Sequence, residues 1–328
     1  MVQSPLKQSS VAFINSSAEQ ESDPFDVYMN EVIIPEVDAA NNEKERCRNQ
    51  FWTYFWTSLF LISVNALVVL YRTLMYHHVL RVDQLIFINL VAVLIVCWPL
   101  YSWRKRKKKD VFAVFLKFYG DFECIGEGKE IVDDVDLSVV PAHQTAQTEY
   151  HIKGRYNGAD IEIRDTVYLN PRATFAKKAA EGVMLGMNFE QSLDVNMLLF
   201  EKHGFYRKSK MPNMLTLNDK INIPAANYFN IFATDAQRPM KFLCSAFFEK
   251  VLDIKDVFGA RKMYVMAQDR QIKIFLEGCR IYFDNYKLWS RKIEYDKFRR
   301  LHKQFEEIFI FIETIQALLR NNHDELDA

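Results

Sequence analysis

The sequence predicts an α+β domain, mostly antiparallel strands with a long C-terminal helix, carried on a two-helix transmembrane hairpin. Three observations carry this. Two uncharged apolar runs, Phe51–Tyr71 and Leu85–Trp103, are each long enough to cross a hydrocarbon core of ~30 Å at ~1.5 Å per residue. An Asn157-Gly158 pair separates two stretches that alternate apolar and polar residues, the strongest short-range hairpin signal, because both residues accept positive φ. A seam at alternating steps of three and four, from Phe298 through Leu301, Phe305, Ile308, Ile312 and Ile315 to Leu319, marks a long final helix.

The chain has 328 residues, with 42 Lys and Arg against 42 Asp and Glu, which allows one or two domains. Residues 1–24 are rich in Ser, Gln and Glu and too poor in clustered apolar side chains to offset the entropy of ordering. They read as a disordered tail, without the apolar core of a secretory signal. Residues 25–50 read as a helical segment broken at Pro35, lying on the inner membrane face or packing against the C-terminal domain.

The hairpin, residues 51–103, comes next. A core helix of a soluble bundle would carry a polar stripe, and neither run has one. Trp52, Tyr54 and Trp56 crowd the start of the first run, and Trp98, Tyr101 and Trp103 the end of the second, as amphipathic rings favour the headgroup level. Lys44, Arg46 and Arg48 precede the first run. Arg104, Lys105, Arg106, Lys107, Lys108 and Lys109 follow the second, whereas the connecting loop holds only Arg72 and Arg81. Positive charge stays inside, so both termini are expected in the cytoplasm. The basic collar 104–109 serves as topology determinant and anionic-lipid contact, at roughly 1 kcal/mol per basic residue near the surface. From Asp110 onward basic and acidic residues nearly balance, which disfavours nucleic-acid binding.

Two amides lie within the spans. Asn65 is six residues inside Tyr71 and Asn89 four inside Leu85, so at ~1.5 Å per residue their depths differ by only ~3 Å. They either bond to each other across the hairpin or join one copy of the chain to another. With no intramembrane charge, a solute pathway is not expected.

In the domain at 110–328, Gly126-Glu127-Gly128-Lys129 fails as a phosphate loop, since Glu123 stands where the first glycine belongs and Glu130 follows the lysine. Asp133, Asp134 and Asp136 form an acidic cluster without the spacing, glycine or distal Glu of a calcium loop, and a solvated turn is expected at that cluster. Around Asn157-Gly158, one face of the hairpin carries Tyr and Ile, and the other Lys153, Arg155, Asp160, Glu162 and Arg164. Further strands are expected at Gly182–Asn188, Asn196–Phe200, Met214–Leu217 and Tyr228–Ala233, and a hairpin turns at Asp269-Arg270. A helix is expected from Asp235 to about Val257, with Pro239 in its first turn. The heptad helix, about Ile293–Arg320, is read either as packed across the sheet or as a dimer seam. Five scattered cysteines offer no zinc or redox spacing and fit a reducing compartment.

Several pieces together resemble a known family. They are Phe25-Asp26-Val27-Tyr28 with Pro35 and the charged turn Glu43–Arg46, the hairpin ending in the basic run, Gly154-x-Tyr156-Asn157-Gly158-x-x-Ile161-x-Ile163, and Phe229-x-Ile231-x-Ala233-x-Asp235. Their order is similar to that of the bacterial membrane family of domain of unknown function 3137. Asp165 departs from it, standing where Glu is usual, as does a longer stretch at Phe200–Ala225. The resemblance implies a bacterial inner-membrane protein with a cytoplasmic α+β domain. It assigns no catalytic residue, and no cofactor or metal is implied.

Candidate acid–base groups exist at His143, His151, His203, Asp160 and Glu162, but no nucleophile elbow, metal-binding His pair or dinucleotide motif joins them. The reading is therefore a membrane-anchored interaction or scaffold protein whose partners are the lipid bilayer and either another protein or a second copy. A membrane-surface enzyme and an anionic-lipid sensor are the alternatives.

Overall fold

The structure is a computed structural model of the whole chain. It describes residues 23–76, 90–98, 101, 108–125, 128–131, 145–170, 177–202, 215–217, 222, 224–235, 239, 242–281, 289 and 292–324. The chain divides into a sheet unit, built on Tyr119–Tyr282 and Asp296–Ala328, and a helical unit, built on Pro5–Phe118 and the segment Phe283–Tyr295.

The helical unit opens with α1 (Pro24–Tyr28), capped by Asp23, whose carboxylate accepts from the Phe25 amide at 3.0 Å. A π-helical turn, Met29–Ile33, leads into α2 (Ile34–Tyr76). Instead of a break at Pro35, the chain stays helical. Proline lacks the amide that would reach back four residues, and its ring crowds that carbonyl. The widened turn just ahead, where the Ile34 amide reaches Met29, accommodates both effects. Of the alternatives for this segment, packing is observed, and it is on α3 (Lys108–Lys117). Phe25 is buried with ring contacts to Phe115 at 6.1 Å and Phe118 at 5.3 Å, and the Tyr28 hydroxyl donates to the Val114 carbonyl at 2.8 Å.

α2 contains a stretch long and apolar enough to cross a membrane, with mean hydropathy 1.7 over its most apolar window. Its apolar side chains face outward: Phe60 is 67% and Leu67 65% exposed. The apolar window of α2 is not buried within this chain, which is consistent with a membrane anchor. Residues 90–98 are also helical. Val91, Ala92 and Ile95 line an apolar groove of about 270 Å³ with Tyr54, Thr57, Ser58, Leu61 and Ile62 of α2.

Among the described residues the sheet unit has ten strands: β1 (Glu123–Cys124), β2 (Gly128–Ile131), β3 (Thr145–Tyr156), β4 (Ala159–Asn170), β5 (Lys177–Asn188), β6 (Asn196–Glu201), β7 (Leu215–Thr216), β8 (Phe229–Ala233), β9 (Lys262–Gln268) and β10 (Gln271–Glu277). Their order is β1-β3-β4-β5-β10-β9-β6-β8-β7, all antiparallel, with β2 also paired to β3. The expected strands at 182–188, 196–200, 214–217 and 228–233 fall within or next to β5, β6, β7 and β8. Gly128 and Lys129 of the failed phosphate-loop motif belong to β2, which pairs with Thr145–Thr148, and the acidic cluster at 133–136, where a solvated turn is expected, lies outside the described residues.

Asn157 and Gly158 have φ of 48° and 79°, the primed turn their identities favour. Both hairpin turns follow the sequence, with Asp269 at φ 50° in the second.

α4 (Ser245–Phe258) and α5 (Asp296–Asp324) cover one face of the sheet. Phe248 packs on Phe229, Phe247 on Phe311, and Tyr156 stacks on Phe309 at 4.0 Å. α4 starts ten residues later than Asp235. Cys244 is extended, at φ −96° and ψ 171°, and among the described residues ahead of it Leu243 donates to the Pro239 carbonyl. At its other end Gly259 adopts φ 63° and closes the helix.

The heptad seam of α5, Phe298 to Leu319, is buried throughout. It packs within the sheet unit. The opposite face of the sheet holds a second buried cluster, including Tyr168, Met184, Phe200, Phe232, Tyr264 and Phe275.

Candidate functional site

The β3–β4 hairpin concentrates the charged groups that the sequence singled out. Register sets His151 opposite Arg164, Lys153 opposite Glu162, and Arg155 opposite Asp160, so all six lie on the sheet face away from α4 and α5. Glu162 is the centre. Its Oε1 is 2.5 Å from His151 Nε2, 3.6 Å from Lys153 Nζ and 4.0 Å from Arg164 Nε. Its neighbour on β5 is Gly186, which has no side chain to fill the space beside the carboxylate.

Burial would raise the Glu162 carboxyl, but Arg164, the His151 hydrogen bond and Lys153 outweigh it and hold the group below the usual carboxylate value. A carboxylate so held is a poor proton donor or acceptor at neutral pH. It can orient His151 or counter cationic neighbours.

Of the other acid–base candidates, Asp160 pairs with Arg155 at 3.7 Å, and Arg155 also reaches Glu190. His143 and His203 lie outside the described residues. Among the described residues, no group of three His, Cys, Asp or Glu side chains is placed to hold a metal ion.

The tip of the hairpin is tied to α5, a contact that sequence reasoning missed. The Tyr156 hydroxyl donates to Glu313 at 2.7 Å and Asn157 Nδ2 to Gln316 Oε1 at 2.6 Å. Burial and the Glu313 carboxylate raise the Tyr156 phenol. The only sequence signal was negative: Glu313 and Gln316 fall off the heptad. Nearby, His302 is buried and its Nδ1 lies 2.6 Å from the Tyr119 hydroxyl.

In the helical unit, Asn65 is half-buried on α2, while its expected partner Asn89 lies outside the described residues. Arg104, Lys105, Arg106 and Lys107 of the basic collar also lie outside them. The backbones of Lys108 and Lys109 form the first turn of α3.

α2 also receives a segment from far along the chain. Asn41 donates through Nδ2 to the Ile293 carbonyl at 3.2 Å and accepts from the Ile293 amide at 2.8 Å. The Tyr295 hydroxyl donates to Asp38 at 2.5 Å, Lys292 Nζ is 4.0 Å from Glu45, and Trp289 packs edge-on against Phe51 at 5.0 Å and Trp52 at 5.9 Å.

No family model matches the chain, and no curated protein matches its sequence. Among solved structures, the mycobacterial trehalose monomycolate transport factor A, TtfA, is similar at 12% identity, with 63% of this chain and 97% of that one covered and a TM-score of 0.34. At that score the likeness carries no argument about fold or activity.

Proposed function

We propose that this chain is a membrane-anchored interaction protein of the bacterial inner membrane. A two-helix hairpin holds it there, both termini face the cytoplasm, and the sheet unit is the binding body. The observation that carries the reading is α2, whose apolar side chains stand exposed along a length sufficient to cross a bilayer. The resemblance to domain of unknown function 3137 supports the same reading and assigns no residue. The binding surface is the charged face of β3 and β4, with the bilayer as one partner and a protein, or a second copy of the chain, as the other. A photo-crosslinker at Lys153 in cells is expected to capture one recurrent protein. Capture of lipid alone sinks the reading.

The His151–Glu162 pair favours a second reading, an enzyme acting at the membrane surface. Against it stands the depressed Glu162 carboxyl, which makes it a poor proton donor or acceptor at neutral pH. An anionic-lipid sensor reading through Arg104–Lys109 would predict loss of membrane apposition when that run is neutralised.

A further inference from the structure

The fifth tryptophan lies outside both apolar runs, in the segment that joins β10 to α5. Its neighbours define a direction. Tyr295 meets Asp38, Ile293 meets Asn41, Lys292 faces Glu45, and Trp289 meets Phe51 and Trp52. The two chains run antiparallel, and the distances agree. From Asp38 to Trp52 a helix advances ~21 Å, and from Tyr295 to Trp289 a chain can span up to ~22 Å. The contacts of the segment therefore run from the polar part of α2 to the first turn of its uncharged run, where the Trp289 indole lies.

That indole is not a core residue. Trp289 is 52% exposed, beside Trp52 at 43%. Rings continue along α2 through Phe55 and Trp56, where the charged residues end. An exposed cluster of indoles at that level of a spanning helix has the chemistry of the membrane–water interface, apolar ring inward and N–H toward the headgroups. The arrangement is held by the paired hydrogen bonds of Asn41 to both backbone groups of Ile293, so it does not depend on the indole contact alone. Lys292, on the polar side of Trp289, places an ammonium where lipid phosphates lie.

We infer that Trp289 is a second, sequence-distant membrane contact, inserted into the headgroup layer of the leaflet at the Phe51 end of α2. This rests on the membrane-anchor reading, and the test separates the two. The full chain is reconstituted into vesicles whose phospholipids carry bromine at a shallow or a deep acyl position. One variant keeps only Trp289 and another only Trp56, the remaining tryptophans being replaced by phenylalanine. Trp56 emission reports whether α2 is in the bilayer.

The expected result is loss of most Trp289 emission to shallow bromine, a blue-shifted maximum and protection from aqueous acrylamide. Asn41→Ala should abolish the Trp289 quenching and leave that of Trp56 intact. Quenched Trp56 beside a Trp289 open to acrylamide overturns the inference and spares the anchor. Trp289 shielded from acrylamide but untouched by bromine means that protein covers it, which also overturns it. Both probes unquenched overturns both readings. Should the multiply substituted chains fail to fold, Trp289→Phe in the otherwise natural protein must lower the lipid-quenched share of emission, and no change refutes the contact.

Discussion

Gly154→Ala tests the packing of α5 on the sheet. Gly154 lies on β3, and the ring of Phe122 rests directly on it. A Cβ built there would come within 2.3 Å of Phe122 Cδ1 and 2.6 Å of Cε1. The ring would have to withdraw by more than an ångström, yet its far side is closed by Phe305 at 5.4 Å and Phe309 at 5.9 Å, with Tyr119 at 6.2 Å. Overpacking of this kind costs ~1–3 kcal/mol. A unit of this size loses ~2–4 °C of Tm per kcal/mol, so a fall of about 3–10 °C is expected in thermal unfolding followed by circular dichroism.

Gly186→Ala is the matched control on the same sheet. Its new Cβ would meet nothing nearer than Glu162 Cβ at 3.6 Å, so it should be neutral or stabilise by ~0.4–1 kcal/mol. Phe122→Leu combined with Gly154→Ala should show a coupling above ~0.5 kcal/mol. Equal stability of the two alanine variants, or strict additivity in the double variant, refutes the account.

Phe311→Ala removes a fully buried ring packed on Phe247 and should cost ~3–5 kcal/mol; an undiminished Tm would deny α5 its place in the core. Glu162→Gln should destabilise the chain at neutral pH. A carboxyl with a depressed folded pKa contributes stability above its unfolded value of ~4.3 and loses that contribution as pH falls through the lower folded value. The gap from the natural chain should therefore close on acidification, and a gap that stays constant argues against the charge cluster. Burial pushes the Cys279 thiol up to about 12, so alkylation should spare it in the folded protein and reach it after denaturation; modification at equal rates in both states contradicts its burial. For topology, protease added outside intact cells should leave the C-terminal domain uncut, and cleavage there reverses the orientation.

The elements legible in the sequence were those whose signal is local. Asn157-Gly158 specifies its own turn, and the heptad of α5 states which side is buried, though not against what. Phe200 and Phe275 lie in runs, Asn196–Glu201 and Gln271–Glu277, that do not alternate cleanly. A run buried on both faces reads as generically apolar, so the second buried face of the sheet went unseen. The start of α4 differs because Asp235 is a plausible cap in isolation, whereas the helix begins at Ser245, after an extended Cys244. Of the charged hairpin face, the membership of Lys153, Arg155, Asp160, Glu162 and Arg164 followed from period two. The convergence of His151, Lys153 and Arg164 on one carboxylate depends on register, which only pairing fixes.

The segment Phe283–Tyr295, which belongs to the helical unit although sheet-unit residues flank it on both sides, has a bearing on how such a protein is inherited. Its anchor is written in two places in the gene. A crossover that donated residues up to Phe118 to another protein would leave Asn41 without Ile293 and Phe51 without Trp289. A fragment beginning at Asp110 would carry a stretch whose backbone groups have lost their amide partner. The two pieces therefore have to travel together, and a variant at Asn41 is most naturally compensated 252 positions downstream.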